Sequence, residues 1–278
     1  MKIITDNAVL MAHVPNAIAA VRGETTLFEK IAVHLQAAED WVCETFCSDR
    51  TFNTIAGYAS NNPIKTITAQ LIVAEALRNA IPALDLVYTP NGFAVVQTNN
   101  LTPASKSRVD RLIEQTVTLR DACISKLLPL LVGASQWLRS ACAVFFSQSL
   151  FHDLSLVDQL GQTKLYKWEK YIELLPQVVE IEASLSEEWL SPELMAVLRD
   201  RNLQGTLTAE QAAVVRNVKP QLLAVLRGES ISGRRMQDIV NYIRQRPYSF
   251  PEWHNSDTAK LFSPPVFQNS KKSGGYFF

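Results

Sequence analysis

The chain has 278 residues, of which 47% are hydrophobic and 19% are charged, and its 27 basic and 27 acidic side chains leave no net charge. A hydrophobic fraction of this size supports a substantial core and excludes wholesale disorder. The absence of net charge excludes a nucleic-acid-binding protein that works by bulk positive charge.

The sequence gives no indication of a membrane segment or a secretion signal. No run approaches the roughly 18 consecutive apolar residues of a membrane helix. The first residues, Met1 to Val14, lack the continuous apolar stretch of a signal peptide. We therefore expect a protein of a cytoplasm-like compartment with no membrane partner.

Four cysteines, Cys43, Cys47, Cys123 and Cys142, are too few for a disulfide scaffold. Cys43 and Cys47 are four residues apart in a predicted helix and share one of its faces, which would supply half of a zinc site. No second pair of ligands follows at regular spacing. The interpretation that we favour is buried structural thiols, with neither a metal nor a cofactor.

Helical periodicity dominates the first half of the chain. Thr25 or Thr26 is the predicted N-cap, and Glu29 has the capping-box spacing from Thr26. An apolar stripe from Leu27 to Phe46 predicts an amphipathic helix of about 20 residues. A loop is predicted over 48–63. A second helix is predicted from about Ile64 to Ala80, where Pro82 ends it.

The periodicity then changes from helical to alternating. Residues on both sides of the turn sequence Thr89-Pro90-Asn91-Gly92 alternate with period two, which predicts a β-hairpin over about 84–98. A long helix is predicted from Ser105 to about Leu128, with Arg120 and Asp121 on a charged, solvated outer face.

The second half is also predicted to be helical, with segments at about 135–146, 164–188, 194–201, 209–227 and 232–246. Ser191 and Thr208 are the predicted N-caps, and Pro192 occupies a first helical position. The carboxylate pairs Glu180/Glu182 and Glu187/Glu188 are interpreted as helix surface. No period of 20–50 residues repeats along the chain.

Beyond Pro247 the composition changes to proline, glycine, serine and aromatic residues. Val266–Phe267 and Tyr276–Phe278 flank a polar turn, which predicts a C-terminal β-hairpin or an extended arm. The terminal aromatic rings either fold into the core of their own chain or dock on a partner.

The predicted fold class is mainly α: a helical bundle with an inserted β-hairpin at about 84–98 and a C-terminal β-hairpin or extended arm. The predicted domains are a helical domain with the hairpin (1–130), a second helical region (131–247) and an extended C-terminal arm (248–278).

Charge is unevenly distributed along the chain. Residues 153–193 are predominantly acidic, whereas residues 230–278 carry seven basic and three acidic side chains. These stretches are either two solvated faces or complementary patches on neighbouring subunits.

The sequence contains no recognised catalytic pattern: no P-loop, no dinucleotide-binding glycine motif, no nucleophile elbow and no zinc-protease motif. His152–Asp153 lies close to Ser147 and Ser149, but a triad on one short loop has poor geometry. We predict no catalytic, cofactor-binding or metal-binding residues, and no enzymatic activity.

Four segments together resemble a known family: Asn62 to Leu71, Ala74 to Pro82, Thr89 to Val96 and Pro103 to Val109. The aromatic tail from Val266 to Phe278 is also similar. This uncharacterised family is associated with phages and prophages of Bacteroidetes. The resemblance spans about Lys2 to Leu130 together with the tail.

Members of that family resemble head–tail connector (adaptor) proteins of tailed phages. The resemblance implies a homo-oligomeric ring that contacts the portal protein and tail or stopper proteins. It implies a virion protein assembled in the host cytoplasm, with non-specific passage of DNA through the lumen, and it carries over no active-site residues.

The hairpin and the aromatic C-terminus would serve as arms that reach neighbouring subunits by strand addition. The predicted partner-binding residues are Tyr88, Asn91, Gly92, Phe93, Phe267, Tyr276, Phe277 and Phe278. The alternatives are a tail-completion protein, a cytoplasmic helical binding module unrelated to phages, and an enzyme with an unrecognised site.

Overall fold

The computed structural model describes residues 1–14, 25–84 and 105–263, together with the backbone of 86–89 and 92–95. The chain divides into two compact units, Met1–Val178 (unit 1) and Val179–Phe278 (unit 2). Helices make up 74% of the structure, which confirms the prediction of a mainly α protein.

Unit 1 is a bundle in which one central helix, α5, packs against both α3 and α6. Its elements in chain order are α1 (Asn7–Met11), α2 (Leu27–Lys30), α3 (Ala32–Val42), a π-helical turn (Cys43–Cys47), α4 (Asp49–Ala56), α5 (Pro63–Ala80), a 3-10 turn (Ile81–Ala83), α6 (Lys106–Val132), a 3-10 turn (Trp137–Arg139), α7 (Ala141–Phe146), α8 (Ser155–Leu160) and α9 (Lys167–Leu185), which continues into unit 2.

The first predicted helix is present but divided. Thr26 and Glu29 form the predicted capping box, and the stripe residues Leu35, Val42 and Phe46 are buried. The backbone of Ile31 leaves the helical region, at φ −106°, and separates α2 from α3. The last turn then widens into the π-helical turn.

That π-helical turn ends at Ser48, whose φ of 64° turns the chain out of the helix. The Ser48 N–H donates to the carbonyl of Cys43 at 2.7 Å, but the last carbonyls of any helix lack partners within it. The indole N–H of Trp137 donates to the carbonyl of Phe46 at 2.5 Å, and the Cys142 thiol donates to the carbonyl of Glu44 at 3.2 Å. Residues far along the chain therefore complete this helix end.

Aromatic rings pack around the same turn. The rings of Phe46 and Phe146 stack with centroids 5.9 Å apart. The ring of Trp168, on α9, lies 4.9 Å from Phe46 and 6.4 Å from Phe146. Trp168 thus covers the stacked pair and closes this part of the core of unit 1.

Unit 2 has the same kinds of element in a shorter chain. After α9 come a π-helical turn (Ser186–Leu190), α10 (Pro192–Gln204), α11 (Ala209–Leu226), α12 (Gly233–Arg244), α13 (Pro251–His254) and α14 (Asp257–Leu261). The predicted caps are confirmed: the hydroxyl of Ser191 accepts from the N–H of Leu194, and Thr208 forms a capping box with Gln211.

The second π-helical turn ends at Ser191, with a φ of 68°. The Ser191 N–H donates to the carbonyl of Ser186 at 2.7 Å. The indole N–H of Trp253 donates to the carbonyl of Trp189 at 2.9 Å, and the hydroxyl of Thr258 donates to the carbonyl of Glu187 at 3.4 Å. A distant tryptophan again pairs a carbonyl at the end of a helix.

The fold-class prediction was wrong about β structure, because the described helical body contains no strand and the hairpin predicted over about 84–98 is not part of it. Leu84 lies in a turn that follows the 3-10 turn. Leu86–Thr89 (β1) and Gly92–Val95 (β2) form only an isolated antiparallel pair, which joins no other strand in the described part of the chain. Two strands alone are at best marginally stable in water.

The predicted C-terminal hairpin, Val266 to Phe278, lies outside the described residues. The prediction of an extended arm from residue 248 was wrong for residues 248–263, because α13 and α14 lie there and Trp253 is buried. The loop predicted over 48–63 is also corrected, since it contains α4.

The division between units falls at 178/179, whereas the sequence placed a boundary near 130. The physical reason is the packing of residues 137–146 on the first π-helical turn, through the indole of Trp137 and the ring of Phe146. These residues therefore belong to unit 1.

We expect Trp137→Phe and Trp253→Phe each to lower the free energy of unfolding by about 1–3 kcal/mol, because each leaves a buried helix-end carbonyl without its donor. Chemical denaturation followed by circular dichroism measures the effect. Trp41→Phe is the matched control, since the Trp41 ring packs on Phe46 beside the same turn. A loss no greater than that of the control would contradict the role given to the indole N–H groups.

Candidate functional site

The most concentrated group of charges in the described structure surrounds the Arg120 guanidinium, which is 1% exposed. Its two terminal nitrogens donate to the two carboxylate oxygens of Glu169 at 2.6 and 2.5 Å. Its Nε and Nη2 also donate to Oδ1 of Asp121 at 3.1 and 2.8 Å, and Nη1 lies 3.4 Å from Glu75. One buried cation therefore contacts three carboxylates.

Two further groups complete this charge cluster, which we define as Glu75, Arg78, Arg120, Asp121 and Glu169. Arg78 donates to both oxygens of Glu75. The backbone N–H of Lys167, the first residue of α9, donates to Asp121 at 2.8 Å. Two cations and a helix N-terminus thus balance three carboxylates.

The cluster joins three helices of unit 1, with Glu75 on α5, Arg120 on α6 and Glu169 on α9. The sequence had placed Arg120 and Asp121 on a solvated outer face, and that prediction was wrong: both are buried. Their partners lie 45 to 49 residues away along the chain, so no local pattern reveals them.

The protonation of the cluster favours a structural role. Burial raises the pKa of Glu169, but the hydrogen bond from Arg120 and its positive charge outweigh burial and lower that pKa below its ordinary value of 4.5. Burial lowers the pKa of Arg120, but the hydrogen bonds that Arg120 donates to Glu169 and the negative charge of Asp121 more than offset burial. At neutral pH both groups are charged and paired, so neither serves as a proton donor.

The cysteines are poor nucleophiles and poor metal ligands. Burial raises the pKa of Cys43 to about 12 and that of Cys123 to about 11. Burial also raises the pKa values of Cys47 and Cys142. Since the thiolate is the reactive form, these thiols are inert at neutral pH. Within the described ranges, no three His, Cys, Asp or Glu side chains come together as a metal site.

A groove of about 330 Å³ lies between α11 and α12 in unit 2. Arg235 lies on its wall. Asp238 lies on the same wall and places a negative charge beside this arginine, which disfavours an anionic ligand.

Apolar side chains project from the surfaces of both units. Tyr248 is 98% exposed and Leu261 is 72% exposed in unit 2, while Val33 and Val144 are exposed in unit 1. Exposed apolar residues grouped near one another are typical of protein–protein contacts, whereas isolated ones are ordinary. Leu261 is of the first kind, because it is next to Phe262, which contacts Trp189.

The predicted partner-binding residues are only partly described. Tyr88 and Phe93 are directly opposite one another in the β1–β2 pair, and Gly92 is opposite Thr89. Asn91, Phe267, Tyr276, Phe277 and Phe278 lie outside the described residues.

A family model matches part of the chain. Residues 18–146 match the model of a family of unknown function, DUF6712. This is less than half of the 278 residues, and it ends at Phe146, the last residue of α7. The matched segment contains the first indole–carbonyl hydrogen bond. Neither the curated proteins nor the solved structures give a match to this chain.

A bilayer span requires a helix that is both long and sufficiently apolar, and none of the helices in the described residues meets both conditions.

We expect Arg120→Met to lower the free energy of unfolding by about 3–5 kcal/mol, because it leaves buried carboxylates without their cation. Denaturation in urea measures the loss. The matched control is Arg111→Met on the exposed face of the same helix, for which the change should stay within about 0.5 kcal/mol. Equal effects of the two substitutions would contradict a structural role for the charge cluster.

We expect Glu169 to make the protein sensitive to acid. Since its pKa is lower in the folded chain than its ordinary value of 4.5, the stabilisation is fully present above that value. It is lost as the pH falls through the folded pKa. Urea denaturation at about pH 7 and about pH 3 should show a smaller loss of stability for Glu169→Gln than for the unchanged chain. An identical loss would exclude Glu169 as a contributor.

Proposed function

We propose that this chain is a structural protein of a phage virion, a head–tail connector (adaptor) that forms a ring between the portal and the tail. The resemblance of residues 62–109 and of the aromatic tail to a phage family supports the proposal. The helical architecture is of the kind that connector subunits have.

The observation that carries the proposal is the contrast between the interior and the surface of the described chain. Inside unit 1, Arg120 and its carboxylates neutralise one another and the cysteine thiols are protonated. At the surface of unit 2, Leu261 is exposed next to Phe262, whose ring contacts Trp189. A protein of this kind acts through contacts with other proteins and not through a reactive centre.

The proposed partners are further copies of this chain, the portal protein and tail or stopper proteins, in a virion assembled in the host cytoplasm. The zero net charge is compatible with DNA passing non-specifically through the lumen, since a strongly basic lumen would retain it. No membrane partner is proposed.

A tail-completion protein, or a cytoplasmic helical binding module unrelated to phages, would share this surface chemistry. Size separates the candidates. A connector forms a large, defined ring in the presence of its portal, whereas a binding module remains a monomer.

We expect light scattering of the purified chain, mixed with portal protein, to show a ring of defined mass. Deletion of Gly274 to Phe278 should abolish the ring and leave the helical circular dichroism unchanged, because the deleted aromatic residues are proposed to contact a neighbour and not the core. A chain that remains a monomer with its portal would contradict the connector function. Normal assembly of the truncated chain would contradict the role of the tail.

A further inference from the structure

Two ten-residue segments, one in each unit, share a sequence pattern and a set of contacts. They are Trp137–Phe146 (WLRSACAVFF) and Trp253–Phe262 (WHNSDTAKLF). Both have Trp first, Ser fourth, Ala seventh and Phe tenth. In each, the serine hydroxyl donates to the carbonyl of the tryptophan at 2.6 Å and accepts from the N–H of the alanine.

The π-helical turns that receive these segments also correspond. Each has a glutamate second, an aromatic residue fourth and a serine with positive φ directly after its end. A buried glutamate precedes each serine by nine residues. The corresponding pairs are Glu39 and Glu182, Glu44 and Glu187, Phe46 and Trp189, and Ser48 and Ser191.

The contacts between the segment and the turn are equivalent in the two units. In each unit the indole N–H donates to the carbonyl of the fourth residue of the π-helical turn. The side chain of the sixth residue of the segment donates to the carbonyl of the second residue of that turn. The stacked aromatic pair, Phe46–Phe146 in unit 1, corresponds to Trp189–Phe262 in unit 2, with centroids 5.9 and 5.8 Å apart. The two units therefore contain the same structural module.

The two aromatic pairs differ in how they are covered. In unit 1, Trp168 lies over the pair, and Phe46 and Phe146 are 0% and 1% exposed. In unit 2, Trp189 and Phe262 are both partly exposed, and the neighbouring Leu261 is largely exposed. By analogy with Trp168 in unit 1, we expect the group that covers Trp189 and Phe262 to be an aromatic ring.

Charged residues flank the exposed pair in sequence. The exposed Lys260, beside Leu261, is paired with Asp257. Glu187 and Glu188 directly precede Trp189, and the side chains of both are exposed. The segment 264–278 has the complementary composition: it carries Lys271 and Lys272, no acidic side chain, and the aromatic residues Phe267, Tyr276, Phe277 and Phe278. Charge and aromatic content therefore both match this segment to the exposed pair.

We propose that the exposed aromatic surface of unit 2, formed by Trp189, Leu261 and Phe262, is the docking site for residues 264–278 of a second copy of this chain. This inference rests on the proposed self-assembly and names the surface that receives the aromatic tail. Tyr276 to Phe278 supply the ring that Trp168 supplies in unit 1, and the two lysines pair with Glu187 and Glu188.

The length and composition of the segment favour a second copy over the same chain. Pro264 and Pro265 begin the segment, and a proline disfavours continuation of a helix such as α14. Fifteen extended residues span about 50 Å. A compact unit of 100 residues has a radius of gyration of only about 13 Å. The segment is therefore long enough to reach a neighbouring subunit.

The test is complementation between two full-length variants. The tail variant carries Phe277→Ser and Phe278→Ser, and the site variant carries Trp189→Ala and Phe262→Ala. We expect each alone to self-associate at least about 30-fold more weakly than the unchanged chain, as buried aromatic contacts do when truncated. An equimolar mixture should recover dimers, since it contains one intact tail and one intact site for each pair of chains.

Light scattering measures the mass, and circular dichroism checks that each variant is folded. Tyr248→Ala is the matched control, because it removes an exposed aromatic ring of unit 2 outside the proposed site, and it should associate normally. If a folded site variant still assembles into normal oligomeric rings, the docking site is wrong but the connector function is not contradicted. Loss of association in both variants without recovery on mixing would overturn the second copy as the occupant.

A second pair of variants tests the charges without removing any apolar contact. Glu187→Lys with Glu188→Lys should weaken association about tenfold or more, and adding Lys271→Glu with Lys272→Glu in the same chain should restore it. Because all four substitutions lie at exposed sites or in the tail, folding should be unchanged. Failure of the restored chain to associate, with the first variant impaired, would contradict the proposed charge pairing.

Discussion

A helix that ends inside a protein leaves carbonyl groups that only another part of the chain can pair, and both units are organised around this requirement. In each, a π-helical turn followed by a serine with positive φ ends a helix in the core. A tryptophan from far along the chain, 91 residues away in unit 1 and 64 in unit 2, donates its indole N–H to a carbonyl at the end of the helix. The tryptophan is the first residue of the segment that contains α7 or α14. Its hydrogen bond to the helix end therefore also holds that helix against the turn.

The buried charges around Arg120 in unit 1 have partners, as the carbonyl groups at the two helix ends do. Arg120 contacts Asp121 beside it and two carboxylates from other helices, so α5, α6 and α9 meet around one guanidinium. Such a group adds little net stability relative to apolar residues of the same size, but removing one member is costly. Its geometry therefore specifies how these three helices pack. These buried charges neutralise one another and serve the packing of unit 1.

Local signals predicted much of the helical structure. The capping box at Thr26 and the N-caps at Thr208 and Ser191 were predicted because their hydrogen bonds span only three residues. The π-helical turns were not predicted, because they depend on Trp137 and Trp253, which no window around Phe46 or Trp189 includes. Arg120 and Glu182 were assigned to surfaces for the same reason. The duplicated module has no short sequence period, because its π-helical turn and its ten-residue segment each recur more than one hundred residues later in the chain. In the proposed docking site, sequence identified the aromatic tail, but only the comparison of the two units identified Trp189 and Phe262.

The two modules differ most in the connection after their 18-residue helices, α5 and α11. Twenty-five residues, 81–105, separate α5 from α6, whereas six residues, 227–232, separate α11 from α12. The indole–carbonyl geometry is nevertheless retained in both. Closing a longer loop costs only about 0.6 kcal/mol for each doubling of its length. We therefore expect the connection between α5 and α6 to tolerate changes in its length at little cost to the packing of these two helices.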